Sequence, residues 1–263
     1  MEILLVLLVT SVAAQASYEP QIPVSLSGEK IRQTRMVNGS IAWTGQYPYF
    51  VSVFHSTSVN LTGLCGGSII AKRWILTAAH CADDKASFMI LVGNAVLHRG
   101  NKFITQEKYI HPEYNPKNLQ NDIALLHLSS DIIYTDYAKQ ISLPNIGESS
   151  SFVGYNPIVM GFGKTSDTSD LSVNLRYAEV NVISNSNCIP TFGPETVVDS
   201  TMCTVGLAGQ SICNSDSGGP VVYNNVQIGI ISFIHATGCK QGKPFGNVRI
   251  TSHRQWINNI TGI

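Results

Sequence analysis

Ser211-Ile212-Cys213-Asn214-Ser215-Asp216-Ser217-Gly218-Gly219-Pro220 is the stretch on which the reading of this chain turns. A serine alcohol is a poor nucleophile until a base takes its proton. It also needs backbone N–H groups aimed at the oxyanion that forms. Ser217, followed by two glycines in a loop with few side chains in the way, suits both needs. Ser, Asp, Gly and Pro are also ordinary turn residues, so the stretch alone does not separate a nucleophile loop from a plain turn.

Two distant segments separate them. Thr77-Ala78-Ala79-His80-Cys81 offers an imidazole, the side chain best placed to move a proton near neutral pH. Asn121-Asp122-Ile123-Ala124-Leu125-Leu126 sets a carboxylate at the head of an apolar run. The order His, Asp, Ser is that of the chymotrypsin-type triad. On these three segments the chain resembles the trypsin/chymotrypsin family of serine proteases. Phe233-Ile234 with Gly238-Cys239, and the ending Trp256-Ile257 with Thr261-Gly262-Ile263, look most like insect and other arthropod chymotrypsin-like and collagenolytic enzymes.

The resemblance implies roles. Ser217 would be the nucleophile, His80 the base that later returns the proton, and Asp122 the group that holds the imidazole tautomer. The N–H groups of Ser215 and Ser217 would form the oxyanion hole. Ser215 stands where the family carries glycine, which can take conformations costly to other residues. Ser211 lies where trypsin-like enzymes carry the Asp that binds Lys or Arg. Ile234 and Phe245 stand where pocket walls are usually glycine, and Ser232 would lie beside substrate and reach Asp122. The implied preference is for small or medium apolar P1 residues. Cleavage after Arg35 would free the amine of Met36, in place of the usual Ile or Val, to pair with the buried carboxylate of Asp216. The six cysteines would pair as Cys65–Cys81, Cys188–Cys203 and Cys213–Cys239. A second class of function, a catalytically weak or inactive homologue acting as a binding protein, is favoured by Ser215, Met36, Ile234 and Phe245. An α/β-type esterase is excluded, because Ser217 lacks the Gly-x-Ser-x-Gly elbow and the triad order differs.

The rest of the chain frames this site. Its 263 residues carry 17 basic and 17 acidic side chains, a balance that predicts neither nucleic acid nor an anionic membrane as partner. Ile3–Val12 is apolar but too short to span a bilayer, and Ala14-Gln15-Ala16 follows with small residues at the positions a signal peptidase reads. Residues 1–16 therefore read as a signal peptide, 17–35 as an activation propeptide, and 36–263 as the protease domain of a secreted, extracellular protein. An even cysteine count fits that oxidising route. The expected partners are protein or peptide substrates, an activating trypsin-like protease and protein inhibitors, with the chain a monomer. The seven histidines show no metal-like spacing, the loop from Gly93 to Glu107 has no acidic cluster for calcium, and no cofactor is implied. Asn38, Asn60 and Asn259 head N-glycosylation triplets.

Short β-branched runs cut by turn residues recur: Tyr49–Phe54, Ser68–Ile70, Trp74–Thr77, Ile90–Gly93, Ile123–Leu128, Pro157–Gly161, Ala178–Val182 and Val226–Phe233. They predict an all-β sandwich or barrel. The resemblance narrows this to two six-stranded antiparallel barrels with the site between them. Trp256, Ile257 and Ile260 share one face of a short C-terminal helix predicted over His253–Ile260.

Overall fold

The structure is a computed structural model and describes residues 39–57, 61–239 and 243–263. The readings for residues 1–38, Arg35, Met36 and Asn38 included, and for Asn60, lie outside the described residues. The described residues hold fourteen strands: β1 Ser40–Ile41, β2 Phe50–Ser56, β3 Leu61–Ala71, β4 Trp74–Thr77, β5 Ser87–Val92, β6 Asn101–Thr105, β7 Lys108–Ile110, β8 Ala124–His127, β9 Ile158–Gly161, β10 Arg176–Ile183, β11 Thr201–Gly206, β12 Pro220–Tyr223, β13 Val226–Phe233 and β14 Phe245–Arg249.

They form two antiparallel sheets. The first runs β6-β5-β2-β3-β4-β8-β7. Its two edge strands are consecutive in sequence, so one strand, bent at Gln106 and Glu107, pairs with β5 at one end and β8 at the other. That bend rolls the sheet into a barrel. The second runs β1-β10-β11-β14-β13-β12-β9, and the pairing of β10 with β9 closes it. With β6 and β7 taken as one strand, and the two-residue β1 as an arm laid on β10, each barrel has six strands. Closure leaves few free edges, the usual solution for an all-antiparallel domain.

The local reasons are legible. Along β10, Arg176, Ala178, Val180 and Val182 are buried, while Tyr177, Glu179, Asn181 and Ile183 are more open. That is the period of two expected of a strand with one wet face. In β8, by contrast, Ala124, Leu125 and Leu126 are all fully buried, because barrel core covers one side and the rest of the molecule the other. Helix α2, Arg254–Thr261, ends at Gly262 in the left-handed conformation, φ 73°, the ordinary glycine stop. Helix α1, Asn185–Phe192, was not legible in the sequence: Pro190 sits inside it and polar residues fill its first turn.

Candidate active site

His80 stands in a 3₁₀ turn, Ala79–Cys81, directly after β4. The Cys65–Cys81 disulfide ties that turn to β3. Asp122 lies two residues before β8 and is fully buried. Its two oxygens have divided duties. Oδ1 accepts the backbone N–H of His80 at 2.8 Å, and Oδ2 lies 2.7 Å from His80 Nδ1. Main chain and ring are thus held by one carboxylate. The contact fixes the tautomer: Nδ1 carries the proton, and Nε2 is left able to accept one. Burial pushes the His80 pKa down, but the charge and hydrogen bond of Asp122 prevail and hold it above 6.5, with Lys85 opposing.

Ser232 joins the third member. It is the residue at which the pairing of β13 with β14 slips by one, between Ile231 and Phe233. A bulge of that kind re-aims a side chain. Here it turns the Ser232 hydroxyl onto Asp122 Oδ2, 2.5 Å away. The carbonyl of the same residue accepts the Ser217 hydroxyl at 3.3 Å. Ser217 and Asp122 therefore share a neighbour. The Ser217–His80 hydrogen bond itself is not formed, and the nearest partner of His80 Nε2 is Cys81 Sγ at 3.6 Å. Nucleophile–base bonds are often loose without substrate, and a serine hydroxyl changes acceptor by rotation about χ1.

The barrels meet at glycine. The Gly66 N–H donates to the Ser217 carbonyl at 2.8 Å, and Thr77 Oγ1 donates to the Gly66 carbonyl. A Cβ on Gly218, φ 81°, would run into Thr77 Oγ1 and the Gly66 carbonyl. The glycines after the nucleophile are thus needed for this close approach and for a backbone angle other residues avoid.

A family profile described as "Trypsin" matches residues 36–257. This chain belongs to the trypsin family. It is 36% identical over 261 residues to "Collagenase" of Hypoderma lineatum, covering 98% of each chain. It is 33% identical to "Brachyurin" of Leptuca pugilator, covering 87% of this chain and 99% of that one. The solved structure titled "HL collagenase" superposes with a TM-score of 0.81 at 37% identity, covering 86% of this chain and 98% of the other. The protein is therefore a trypsin-family serine protease, a hydrolase of peptide bonds with protein substrates. Among the described residues no helix is long and apolar enough to cross a membrane.

Within this trypsin-family frame Ser215 adopts φ 73°, so a serine occupies the left-handed conformation where the family carries glycine. Neither its N–H nor that of Ser217 donates to an acceptor among the described residues. Asp216, between them, points inward and is fully buried. Its carboxylate accepts N–H groups of Gly163 at 2.8 Å and Cys213 at 2.9 Å. Burial pushes its pKa up to about 7 against those two hydrogen bonds. Gly161 and Gly163 make the room: a Cβ on Gly163 would lie 2.5 Å from Asp216 Oδ1. In the sequence these glycines carry no signal beyond their alternation around Phe162.

The residues read as a specificity pocket diverge. Ser211 is buried, and its hydroxyl donates to the Ile212 carbonyl at 3.1 Å. Phe245 is 1% exposed and packs in the second-barrel core with Ile212, Val180 and Ile231. Ile234 is half-buried against the same cluster. Phe192 of α1 meets the ring of Phe233 edge-on, with centroids 5.0 Å apart. A Cβ on Gly246 would enter the Phe233 ring, which lies directly over it. The Cys213–Cys239 disulfide ties the loop of Ser217 to the segment after β13, and Cys188–Cys203 ties α1 to β11. Asn259 is exposed in the last turn of α2, where its Oδ1 accepts from Gln255.

Proposed function

We propose that this protein is a secreted endopeptidase made as a zymogen. In this reading Ser217 attacks the scissile carbonyl, His80 takes its proton and returns it to the leaving amine, and Asp122 stabilises the imidazolium. The oxyanion is received by the Ser215 and Ser217 N–H groups. The observation that carries the reading is the double grip of Asp122 on His80, main chain and Nδ1 together, with Ser232 bonded to both Asp122 and Ser217. Residues 1–16 are a signal peptide and 17–35 the propeptide, and the amine freed after Arg35 partners Asp216. The buried carboxylate with a raised pKa and no cation beside it among the described residues supports that last step. Ser211 in place of Asp, with Ile234 half-buried on apolar ground, supports cleavage after Ala, Val or Leu. "Collagenase" among the similar proteins makes collagen a substrate class to try.

The test combines a probe and a panel. Protein cut after Arg35 is expected to take a fluorophosphonate label that Ser217→Ala lacks, and to cleave peptides after Ala, Val or Leu faster than after Arg. A second reading, a binding protein with a weak catalytic site, is favoured by the Ser217 hydroxyl resting on Ser232 instead of His80. No labelling of properly cut protein would establish that reading.

A further inference from the structure

The segment after β13 begins with Ile234 and ends at a disulfide, Cys239. Strand pairing stops at Phe233, opposite Gly246. From there the chain bonds mostly to itself. The Gly238 N–H donates to the His235 carbonyl at 3.0 Å, and the Thr237 N–H to His235 Nδ1 at 3.2 Å. Among the described residues one hydrogen bond leaves the segment: the Cys239 N–H donates to Asp167 Oδ1 at 2.8 Å. Asp167 lies 72 residues earlier, in the loop after β9. Its carboxylate sits over Gly238, φ 93°, where a Cβ would run into both carboxylate oxygens.

The loop that carries Asp167 is braced. Lys164 and Leu171 pair as an antiparallel bridge at its neck. Within it Ser169 Oγ accepts the N–H groups of Thr165 at 2.8 Å and Ser166 at 3.1 Å. The Lys164 N–H donates to the Asn214 carbonyl at 2.9 Å, which anchors the loop to the stretch that carries Ser217. Segment 234–239 is thus held to that stretch twice, by the Cys213–Cys239 disulfide and through Asp167. A disulfide alone is a hinge, because its side-chain bonds can turn between staggered settings. The second hold, on the backbone N–H of the same residue, fixes the angle at which the segment lies.

We propose that Asp167 is a positioning residue for substrate binding: by accepting the Cys239 N–H it sets the angle of segment 234–239, and so the place of Ile234 beside the substrate. This rests on the reading of His80, Asp122 and Ser217 as a triad and of Ile234 as a pocket wall. Asp167 acts through Cys239 and not on the reacting groups. A hydrogen bond to a charged group favours the bonded arrangement by about 10-fold or more, and Asp167 is exposed, so the lower end applies. Without that bond the segment samples other angles, and substrate must select the competent one. A competent fraction of about one tenth raises KM about 10-fold and leaves kcat unchanged.

The test compares Asp167→Ala, which removes the acceptor, with Asp167→Asn, whose amide oxygen can take the same N–H. In protein cut after Arg35, Asp167→Ala is expected to raise KM for an apolar peptide amide about 10-fold, with kcat within about 2-fold. Labelling by a small fluorophosphonate needs the triad but not the segment, so its rate is expected to stay within about 2-fold. Asp167→Asn is expected to bring KM back to within about 3-fold of wild type. The Cys239 amide proton, followed by NMR, is expected to exchange about 10-fold faster in Asp167→Ala and not in Asp167→Asn. This readout needs no activity, so it tests Asp167 even if the triad reading fails. Unchanged exchange, or Asp167→Asn as impaired as Asp167→Ala, overturns the proposal. Wild type labelled, Ser217→Ala unlabelled and KM unmoved in Asp167→Ala would sink this inference alone. Wild type unlabelled would sink the triad reading instead.

Discussion

Replacing Ser215 by glycine tests whether the oxyanion hole is intact with a serine in it. At φ 73° a serine Cβ is crowded, at a cost of about 1–2 kcal/mol that glycine does not bear. Glycine also loosens the unfolded chain, which returns about 0.5–1 kcal/mol of that gain. The net is a stabilisation of about 0.5–1 kcal/mol, or a rise of about 1–4 °C in the unfolding midpoint of a domain this size. Activity follows from a different quantity. The Ser215 N–H already has no acceptor among the described residues, and the backbone angle is already the one glycine would take. On the proposed oxyanion reading that donor needs no change of backbone, and Ser215→Gly is expected to change kcat by less than about 3-fold. Ser215→Pro deletes the N–H and cannot reach a positive φ, so it is expected to lose at least about 100-fold, the usual effect of removing one oxyanion donor. The assays are kcat on an apolar peptide amide and thermal unfolding of the same preparations. A gain of 100-fold or more in Ser215→Gly would refute the reasoning, because it would mean that serine turns the peptide away from the cleft. A lower midpoint would refute the strain argument.

Asp216 predicts a pH dependence in the uncut chain. Its carboxyl titrates near 7 folded against 3.8 unfolded, so its contribution is full below pH 3.8 and lost as pH rises towards 7. The difference between the two states corresponds to roughly 4 kcal/mol. Denaturant midpoints of the uncut chain should fall between pH 4 and 7, and Asp216→Asn should flatten that slope; equal slopes would contradict the burial argument. Gly163→Ala should push a methyl into the Asp216 carboxylate, with an expected cost of about 1–3 kcal/mol and weaker fluorophosphonate labelling after cleavage. Asp122→Asn removes the charge that raises the His80 pKa, so the acid limb of kcat/KM, expected above pH 6.5 in wild type, should move to lower pH as the rate drops. Phe245→Ala should cost about 3–5 kcal/mol in chemical denaturation, a core effect that a side chain lining an open pocket would not show.

The sequence by itself carried eight of the strand runs, the C-terminal helix and the segments that suggested His80, Asp122 and Ser217, while β1, β6, β7, β11, β12 and β14 left no mark in it that was read. Periodicity is a local property and is read within ten residues, but the Ser217 stretch took its meaning only from the segments around His80 and Asp122, far upstream. Helix α1 escaped because Pro190 and its polar first turn mask the helical pattern. The bend at Gln106 and Glu107, which makes seven strands into a six-stranded barrel, is visible only once both ends find their partners. Tertiary structure alone decided where the hydroxyls and carboxylates point. The one-residue slip that turns Ser232 onto Asp122 depends on how β13 pairs with β14, and Ser232 and Asp122 lie 110 residues apart in sequence. Phe245 packs in the second-barrel core for the same reason. A side chain's type is written in the chain, but its direction is set by strand register and by partners that are close only after folding.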